Sequence, residues 1–295
     1  MNKKLLLTIF AGALMLGACK PIDPTIDLDE HTDCIVYSHD KETNTGVFTN
    51  YATIKVTGDM TSGLYALIFK DFKVADGETL RSATLSGLIQ YMDDVTDQDG
   101  NLQEVHYTLF QQESSTKQAG DMDISNMQYS WLSTVFWLNM NALDGRYTIW
   151  TLPSKVQLYA NKNFVKGPYG NNHENAITPR YDMTFNTLDH TVTIKASGVK
   201  YPVDVTDPSK SYYLRSLSWN NLPIELNEKG FTANVKEFSP TIDGTTDNFT
   251  ITNFSMVYEV AYEGKREATF TLTDNTNGVK LVITTTLDYF MQANA

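Results

Sequence analysis

The stretch ATFTLTDNTNGVKLVITTTL, residues 268–287, sets the fold class of this chain. Apolar and polar side chains alternate in 268–272, and β-branched residues are frequent both there and in 279–284. An alternation with a period of two places one face of a strand in a core and the other in solvent. Because the Asn-Thr-Asn-Gly sequence at 275–278 is a typical turn, the stretch predicts a β-hairpin.

The same strand pattern recurs along the chain. Three further segments alternate in this way, at 53–57, 191–195 and 249–252. Turn-forming residues separate such segments at short intervals, at 99–101, 144–145 and 243–244. No long segment shows helical periodicity with caps, so we predict an all-β, antiparallel fold of the β-sandwich or small-barrel type.

Four pairs of similar segments suggest that the chain holds two tandem modules. They are 53–58 with 193–198, 80–88 with 214–222, 123–127 with 250–254, and 145–152 with 264–272. Their order is preserved, and an asparagine-, glycine- and proline-containing run lies between them at 161–179. We predict one β-module at 34–160, a linker or long loop at 161–179, and a second module at 180–295. A single large β-fold with similar strands remains the alternative.

The N-terminus has the features of an export signal. Lys3 and Lys4 precede an apolar run at 5–16. That run is shorter than the roughly 20 residues that a membrane-spanning helix needs, but it fits the apolar region of a signal peptide.

The sequence Leu16-Gly17-Ala18-Cys19 that ends this run resembles the lipobox of bacterial lipoproteins. The resemblance implies that 1–18 are a signal peptide and that Cys19 is lipidated. Two acyl chains give stable membrane anchoring where one is marginal. An ordinary secretory signal followed by a chance cysteine is the alternative.

Residues 19–33 are predicted to form a flexible acidic tether. Lys20 follows the cysteine, and five acids come after it: Asp23, Asp27, Asp29, Glu30 and Asp33. A lysine and acids behind a lipidated cysteine resemble the surface-export signal of Bacteroidota lipoproteins. In that signal the acids usually follow the lysine directly, whereas here Pro21 and Ile22 separate them. The resemblance implies an outer-membrane location, with display on the cell surface.

The charge of the chain limits its partners. Removing 1–18 takes away two lysines and lowers the formal net charge from −12 to −14. Such an acidic protein is unsuited to binding nucleic acid or an anionic lipid surface. We therefore expect it to attach to the membrane only through the lipid on Cys19. The second cysteine, Cys34, then has no disulfide partner in the chain. We expect it to be a small buried core residue, with a lone reactive thiol as the alternative.

Catalytic groups are sparse. Of five histidines, only His106 and His190 lie near predicted strands, and no histidine or serine motif of a hydrolase or metalloenzyme occurs. We therefore predict that the protein is not an enzyme and needs no organic cofactor.

The acidic run at 93–101 is a candidate calcium loop. Its Asp-x-Asp-Gly portion resembles the middle of an EF-hand, but that register would make Val95 and His106 calcium ligands. An EF-hand is therefore excluded. A looser calcium site at Asp97 and Asp99 remains beside the simpler interpretation, a solvated hairpin loop.

Aromatic residues give the binding hypothesis. Trp150 and Trp219 lie in alternating runs and are predicted to be core residues. Trp131 and Trp137 are predicted to be partly exposed and, together with Tyr129, to contact a ligand. We predict a non-catalytic surface lipoprotein that binds a glycan or a small apolar molecule. The alternatives are a fimbrial-type subunit that contacts a protein partner through the C-terminal strand at 279–287, and, least favoured, an envelope hydrolase.

Overall fold

The computed structural model is all-β and contains no helix among the residues that it describes. These are residues 25–96, 102–111, 116–118, 123–132, 135–166, 172–174, 179–202, 212–242, 248–261, 263–276 and 278–289. None of these residues belongs to a helix long and apolar enough to cross a membrane. The all-β prediction is confirmed, as is the hairpin at 268–287, whose two strands pair in antiparallel register.

Eight strands of the first half form a closed antiparallel barrel. The strands are β1 (Thr25–Asp40), β2 (Thr45–Asp59), β3 (Leu64–Phe72), β4 (Arg81–Thr96), β5 (Leu102–Phe110), β7 (Ile124–Leu132), β8 (Val135–Ala142) and β9 (Tyr147–Pro153), with the short β6 (Thr116–Gln118) beside β4. Their order is β3-β2-β1-β9-β8-β7-β5-β4. The long strand β4 closes the barrel, because its first half pairs with β3 and its second half with β5.

The remaining strands form one antiparallel sheet, which we call the rolled sheet because Ile224 alone links a strand near one end of its order to the strand at the other end. They are β10 (Lys155–Lys166), β11 (Asn172–Glu174), β12 (Arg180–Asn186), β13 (Thr191–Pro202), β14 (Tyr212–Pro223), β15 (Glu225–Asn227), β16 (Gly230–Phe238), β17 (Thr241–Ile242), β18 (Phe249–Glu259), β19 (Arg266–Asp274) and β20 (Lys280–Asp288). The order is β15-β16-β18-β19-β20-β10-β12-β13-β14-β17, with β11 on β10. The C-terminal strand β20 therefore lies between β19 and β10.

The barrel and the rolled sheet share a buried boundary. On β1, Cys34 and Val36 point into the barrel core, while Ile35 and Tyr37 belong to the core of the rolled sheet. The same division occurs on β8 and β9, since Trp137 and the residues Trp150 and Leu152 lie with the second core. Both faces of these strands are covered, which joins the two halves into one packed unit.

The boundary between the sheets falls at Ser154 rather than within 161–179. Strand β9 ends at Pro153 and β10 begins at Lys155, so β10 occupies both the end of the predicted first module and the start of the predicted linker. The difference arises because β10 is held by distant strands, β12 and β20, which the local composition at 161–179 does not reveal.

The Cys34 prediction is confirmed by its position in the barrel core. The side chain is fully buried, and burial raises the pKa of its thiol to about 12. The thiol is thus neutral at physiological pH and packs as a small apolar group.

Residues 25–33, assigned by sequence to the flexible tether, form the first part of β1. They pair with β2 from Thr25 opposite Asp59 onwards. Four of the acids that suggested a solvated spacer have partners, and two of these contacts are with residues distant in the sequence. Lys55 Nζ lies 2.8 Å from Asp27 Oδ2, and the Tyr129 hydroxyl donates to Asp29 Oδ2 at 2.6 Å. Acids satisfied by long-range partners cannot be distinguished from solvated ones by local sequence.

Asp29 ties this first part of β1 to the barrel interior. Burial raises the pKa of its carboxyl, but hydrogen bonds from His31 and Tyr129 outweigh burial and leave the pKa below its ordinary value. The His31 ring, whose Nε2 lies 2.9 Å from Asp29 Oδ2, also stacks on Phe136 with ring centroids 4.0 Å apart. The carboxylate form of Asp29 therefore stabilises the folded state.

Removing the Tyr129 hydroxyl should weaken this tie. We expect Tyr129→Phe to lower the free energy of unfolding by about 1.5–3 kcal/mol at neutral pH, as for a hydrogen bond to a charged group. A depressed folded-state pKa gives stability that is present above the unfolded pKa and lost as the pH falls through the folded one. The difference in free energy of unfolding between wild type and Tyr129→Phe should therefore be smaller in acid.

Urea unfolding at pH 7 and pH 3, followed by circular dichroism, measures both effects. Tyr107→Phe is the control, because it removes a tyrosine hydroxyl from the neighbouring strand β5 while its ring still stacks on Trp131. If Tyr129→Phe lowers the free energy of unfolding equally at both pH values, the role assigned to Asp29 is wrong.

Candidate functional site

A bulge at Gly87 decides which side chains β4 presents outside the barrel. Gly87 has a φ of 76°, in the left-handed region that glycine adopts without strain. The register between β3 and β4 shifts there, so that Leu85 before the bulge and Leu88 after it both point into the barrel core. Without the extra residue, the odd-numbered residues after Leu85 would continue to point into the barrel core. The bulge instead turns three residues outward: Ile89, Tyr91 and Asp93.

These residues form one wall of a cleft with the neighbouring strand. On the outer face of β5, three residues stand directly opposite them: Phe110, Thr108 and His106. The other wall comes from the loop between β18 and β19, through Ala261 and Glu263. The cavity, which we call the β4–β5 cleft, has a volume of about 710 Å³ and lies between the barrel and the rolled sheet.

The cleft combines an aromatic rim with polar groups. Tyr91 is 58% exposed and meets the Phe110 ring edge-on, with centroids 5.4 Å apart. Below this rim lie the buried residues His106 and Thr108, and the Thr108 hydroxyl is 3.3 Å from His106 Nε2. It is also 3.0 Å from the hydroxyl of Ser130 on β7. An exposed ring beside fixed hydroxyl groups is suited to a ligand that has an apolar face and polar edges.

A stack of rings connects the floor of the cleft to the rolled sheet. The His106 ring lies on Trp137 with centroids 5.3 Å apart, and Trp137 lies on Tyr289 at 4.9 Å. The Arg266 guanidinium is 4.3 Å from the centre of the Tyr289 ring. His106 and Trp137 belong to the barrel and the other two to the rolled sheet, so the stack fixes the cleft floor at the boundary between them.

The same stack holds the loop that forms the second wall. Arg266 Nη1 donates to the carbonyl oxygens of Glu259 and Ala261, at 2.9 and 2.7 Å. The Tyr289 hydroxyl donates to the Val260 carbonyl at 2.7 Å, and burial raises the pKa of Tyr289 to about 12. The hydroxyl therefore stays protonated near neutral pH and keeps this bond.

The three aromatic residues predicted to contact a ligand do not form one surface. Tyr129 is fully buried in the barrel core. Trp131, which is half-buried, packs against that core and stacks on Tyr107. The expected exposure of Trp137 is wrong, because it is 0% exposed and lies under the rolled sheet. Trp150 and Trp219 are buried, as predicted.

The predicted lipidation and calcium sites cannot be placed. Cys19, Asp97 and Asp99 lie outside the described residues, and both sites stay predictions. Within the described part of the chain, no group of three or more His, Cys, Asp or Glu side chains is arranged to hold a metal ion.

The two histidines near predicted strands have different surroundings. His106 forms part of the cleft and stands opposite Asp93 across the β4–β5 pair, although its described Nε2 contact is with Thr108. His190 is exposed in the turn between β12 and β13, where its ring meets Phe48 edge-on. Only His106 is therefore placed to meet a ligand in the β4–β5 cleft.

The sequence contained one partial signal for the cleft. Tyr91 lies two residues before the acidic run at 93–101, and only the acids of that run resemble a known site motif. A smaller cavity of about 500 Å³ lies elsewhere, beside His39, Lys41 and Asn227, and apart from the His39 ring it lacks an aromatic wall. Comparisons of the chain with protein-family models, with curated proteins and with solved structures found no match.

Proposed function

We propose that this chain is a lipid-anchored, non-catalytic binding protein of the cell outer membrane. Its ligand is a glycan or a small apolar molecule that binds in the β4–β5 cleft. The observation that carries the proposal is the exposed Tyr91 ring at the mouth of a cavity of about 710 Å³. That volume falls in the usual range for small-ligand sites, roughly 300–1,000 Å³.

The start of β1 brings the proposed anchor close to the barrel. Pairing with β2 begins at Thr25, six residues after Cys19. Six extended residues span at most about 20 Å. The proposed lipid would thus hold the barrel near the membrane surface on a spacer much shorter than the tether expected from the sequence.

The position of β20 favours binding over assembly by strand exchange. A subunit that donates its C-terminal strand needs that strand at an edge. Here β20 pairs with β19 on one side and with β10 on the other. Removing it would break two sets of ladder hydrogen bonds, and this cost makes the fimbrial-type alternative the weaker proposal.

We also propose that the two halves are tandem copies of one module. Ignoring strands of three residues or fewer, each half runs as eight strands whose last pairs with its first, β9 with β1 and β20 with β10. Two of the four sequence matches, in β4 with β14 and in β7 with β18, fall on strands of the same rank in this order. The other two are displaced by one strand, so they weaken the proposal.

A binding screen tests the proposed site. The mature chain carrying Cys19→Ser would be screened against glycans and apolar probes by titration calorimetry. We expect Tyr91→Ala to weaken binding about 5- to 150-fold, because a ring stacked on an aromatic side chain contributes about 1–3 kcal/mol in nucleic-acid-binding sites.

Two control variants locate the effect. Tyr51→Ala removes an exposed tyrosine from β2, outside the cleft, and Trp131→Ala removes the half-buried tryptophan of β7. Both should leave the affinity unchanged. Binding that survives Tyr91→Ala, or that is lost in Trp131→Ala alone, would overturn the assignment to the β4–β5 cleft.

A further inference from the structure

The β4–β5 cleft carries negative charge on both walls. Asp93 stands on the barrel wall and Glu263 on the loop wall, and both are exposed. Neither carboxylate has a hydrogen bond or ion pair with any residue that the structure describes. Two solvated carboxylates facing one cavity favour a ligand that is positively charged there.

The nearby cationic side chains are engaged elsewhere. No lysine or arginine is among the described residues that line the cleft. Lys265, next to the loop, forms an ion pair with Glu267 at 3.0 Å. Arg266 is 3% exposed and donates to two loop carbonyls. An anionic ligand would therefore be repelled by two carboxylates that no cationic side chain neutralises. A cationic ligand would be attracted by both.

The aromatic rim provides a second feature that suits a cation. The Tyr91 ring is accessible to solvent and fixed edge-on against Phe110. A cation near the face of such a ring gains about 0.5–2 kcal/mol, according to its exposure. The Thr108 hydroxyl, on the cleft floor, can bond the polar edge of a ring-shaped ligand, and its contact with the buried Ser130 hydroxyl holds it in place.

On the basis of the proposed function, we infer that the ligand carries a protonated amine on a compact ring, as an unsubstituted amino sugar does. The amine binds between Asp93 and Glu263, and the ring lies against Tyr91. The formal net charge of the mature chain, −12 − 2 = −14, adds a long-range attraction for such a ligand.

Three matched tetrasaccharides test the inference. They are β-1,4-linked tetramers of glucosamine, N-acetylglucosamine and glucose, which differ only in the group on one ring carbon of each sugar. Titration calorimetry would use the mature chain with Cys19→Ser at physiological salt. We expect the glucosamine tetramer to bind about tenfold tighter than the other two, as for one charge-assisted hydrogen bond.

Three variants separate a specific site from general attraction to an acidic protein. Asp93→Asn and Glu263→Gln should each weaken binding of the glucosamine tetramer about tenfold. Asp94→Asn removes the same charge from the adjacent exposed position of β4, which points the other way, and should change the affinity less than twofold.

Each contrary result has a separate meaning. Equal affinity for the three tetramers, or an equal loss in Asp93→Asn and Asp94→Asn, overturns the amine inference and leaves the proposed function in place. If none of the tetramers binds, the amine inference again fails. Tyr91-dependent binding in the wider screen then decides the proposed function independently.

Discussion

Replacing Trp137 by alanine is expected to lower the free energy of unfolding by about 3–5 kcal/mol, the usual cost of removing a buried tryptophan. The side chain is 0% exposed. Its ring is stacked between His106 of the barrel and Tyr289 of the rolled sheet. Truncation would leave a cavity at the boundary that both halves line, so neither half can close it without moving away from the other.

Urea unfolding followed by circular dichroism measures the loss. Trp131→Ala is the matched control, because it removes the same atoms from a half-buried ring that packs only against the barrel. Its loss of stability should be clearly smaller. A Trp137→Ala variant as stable as Trp131→Ala would show that the two halves do not depend on this contact. Trp137→Phe should recover part of the loss, since it restores a ring between its two neighbours.

Local pattern was sufficient for individual strands and for some core residues. The hairpin at 268–287 was predictable because its first strand alternates, its second is rich in β-branched residues, and a typical turn joins them. The burial of Trp150 and Trp219 followed from the same periodicity. These features depend on neighbours within a few residues of each other, where periodicity and turn chemistry are informative.

The packing of the barrel against the rolled sheet left a signal that alternation does not capture. The run Cys34-Ile35-Val36-Tyr37 is apolar at every position, which is typical of a strand covered on both faces. In the structure its residues divide between the two cores. Independent modules on a flexible linker would expose one of these faces, so this run argued for a shared boundary.

The cleft could not have been predicted from local sequence. Its walls come from alternate residues of β4 and β5 and from Ala261 and Glu263, which are brought together only by the closure of the barrel and the docking of the rolled sheet. Their orientation also depends on the bulge at Gly87, since a single inserted residue reverses the inward and outward faces of the strand. The sequence shows a glycine at this position, but it does not show that a bulge there turns Tyr91 outward.

Replacing Arg266 by methionine is expected to cost about 3 kcal/mol of stability, as when one partner of a buried ion pair is removed. Methionine fills much of the volume but donates no hydrogen bond, so the carbonyls of Glu259 and Ala261 lose a shared donor. It also leaves the Asp288 carboxylate, whose Oδ1 lies 3.7 Å from Arg266 Nη2, without its nearby cation.

The pH dependence of this loss has a defined sign. Burial raises the pKa of the Asp288 carboxyl, and Arg266 opposes that rise. Without Arg266 the folded-state pKa moves further above the unfolded one, and a carboxyl with a raised pKa gains folded stability as the pH falls and it becomes neutral. The deficit of Arg266→Met should thus be largest at neutral pH and smaller in acid.

Unfolding measurements at pH 7 and pH 4.5 test this expectation, with Lys265→Met as the control. Lys265 is the adjacent residue and is exposed, and its ion pair with Glu267 is of the surface type, so its loss should stay within about 0.5 kcal/mol.

Arg266→Met should also weaken ligand binding in the β4–β5 cleft, because the loop bearing Glu263 loses the guanidinium that positions it. A variant with normal stability and normal affinity would mean that Tyr289, through its bond to Val260, holds the loop alone.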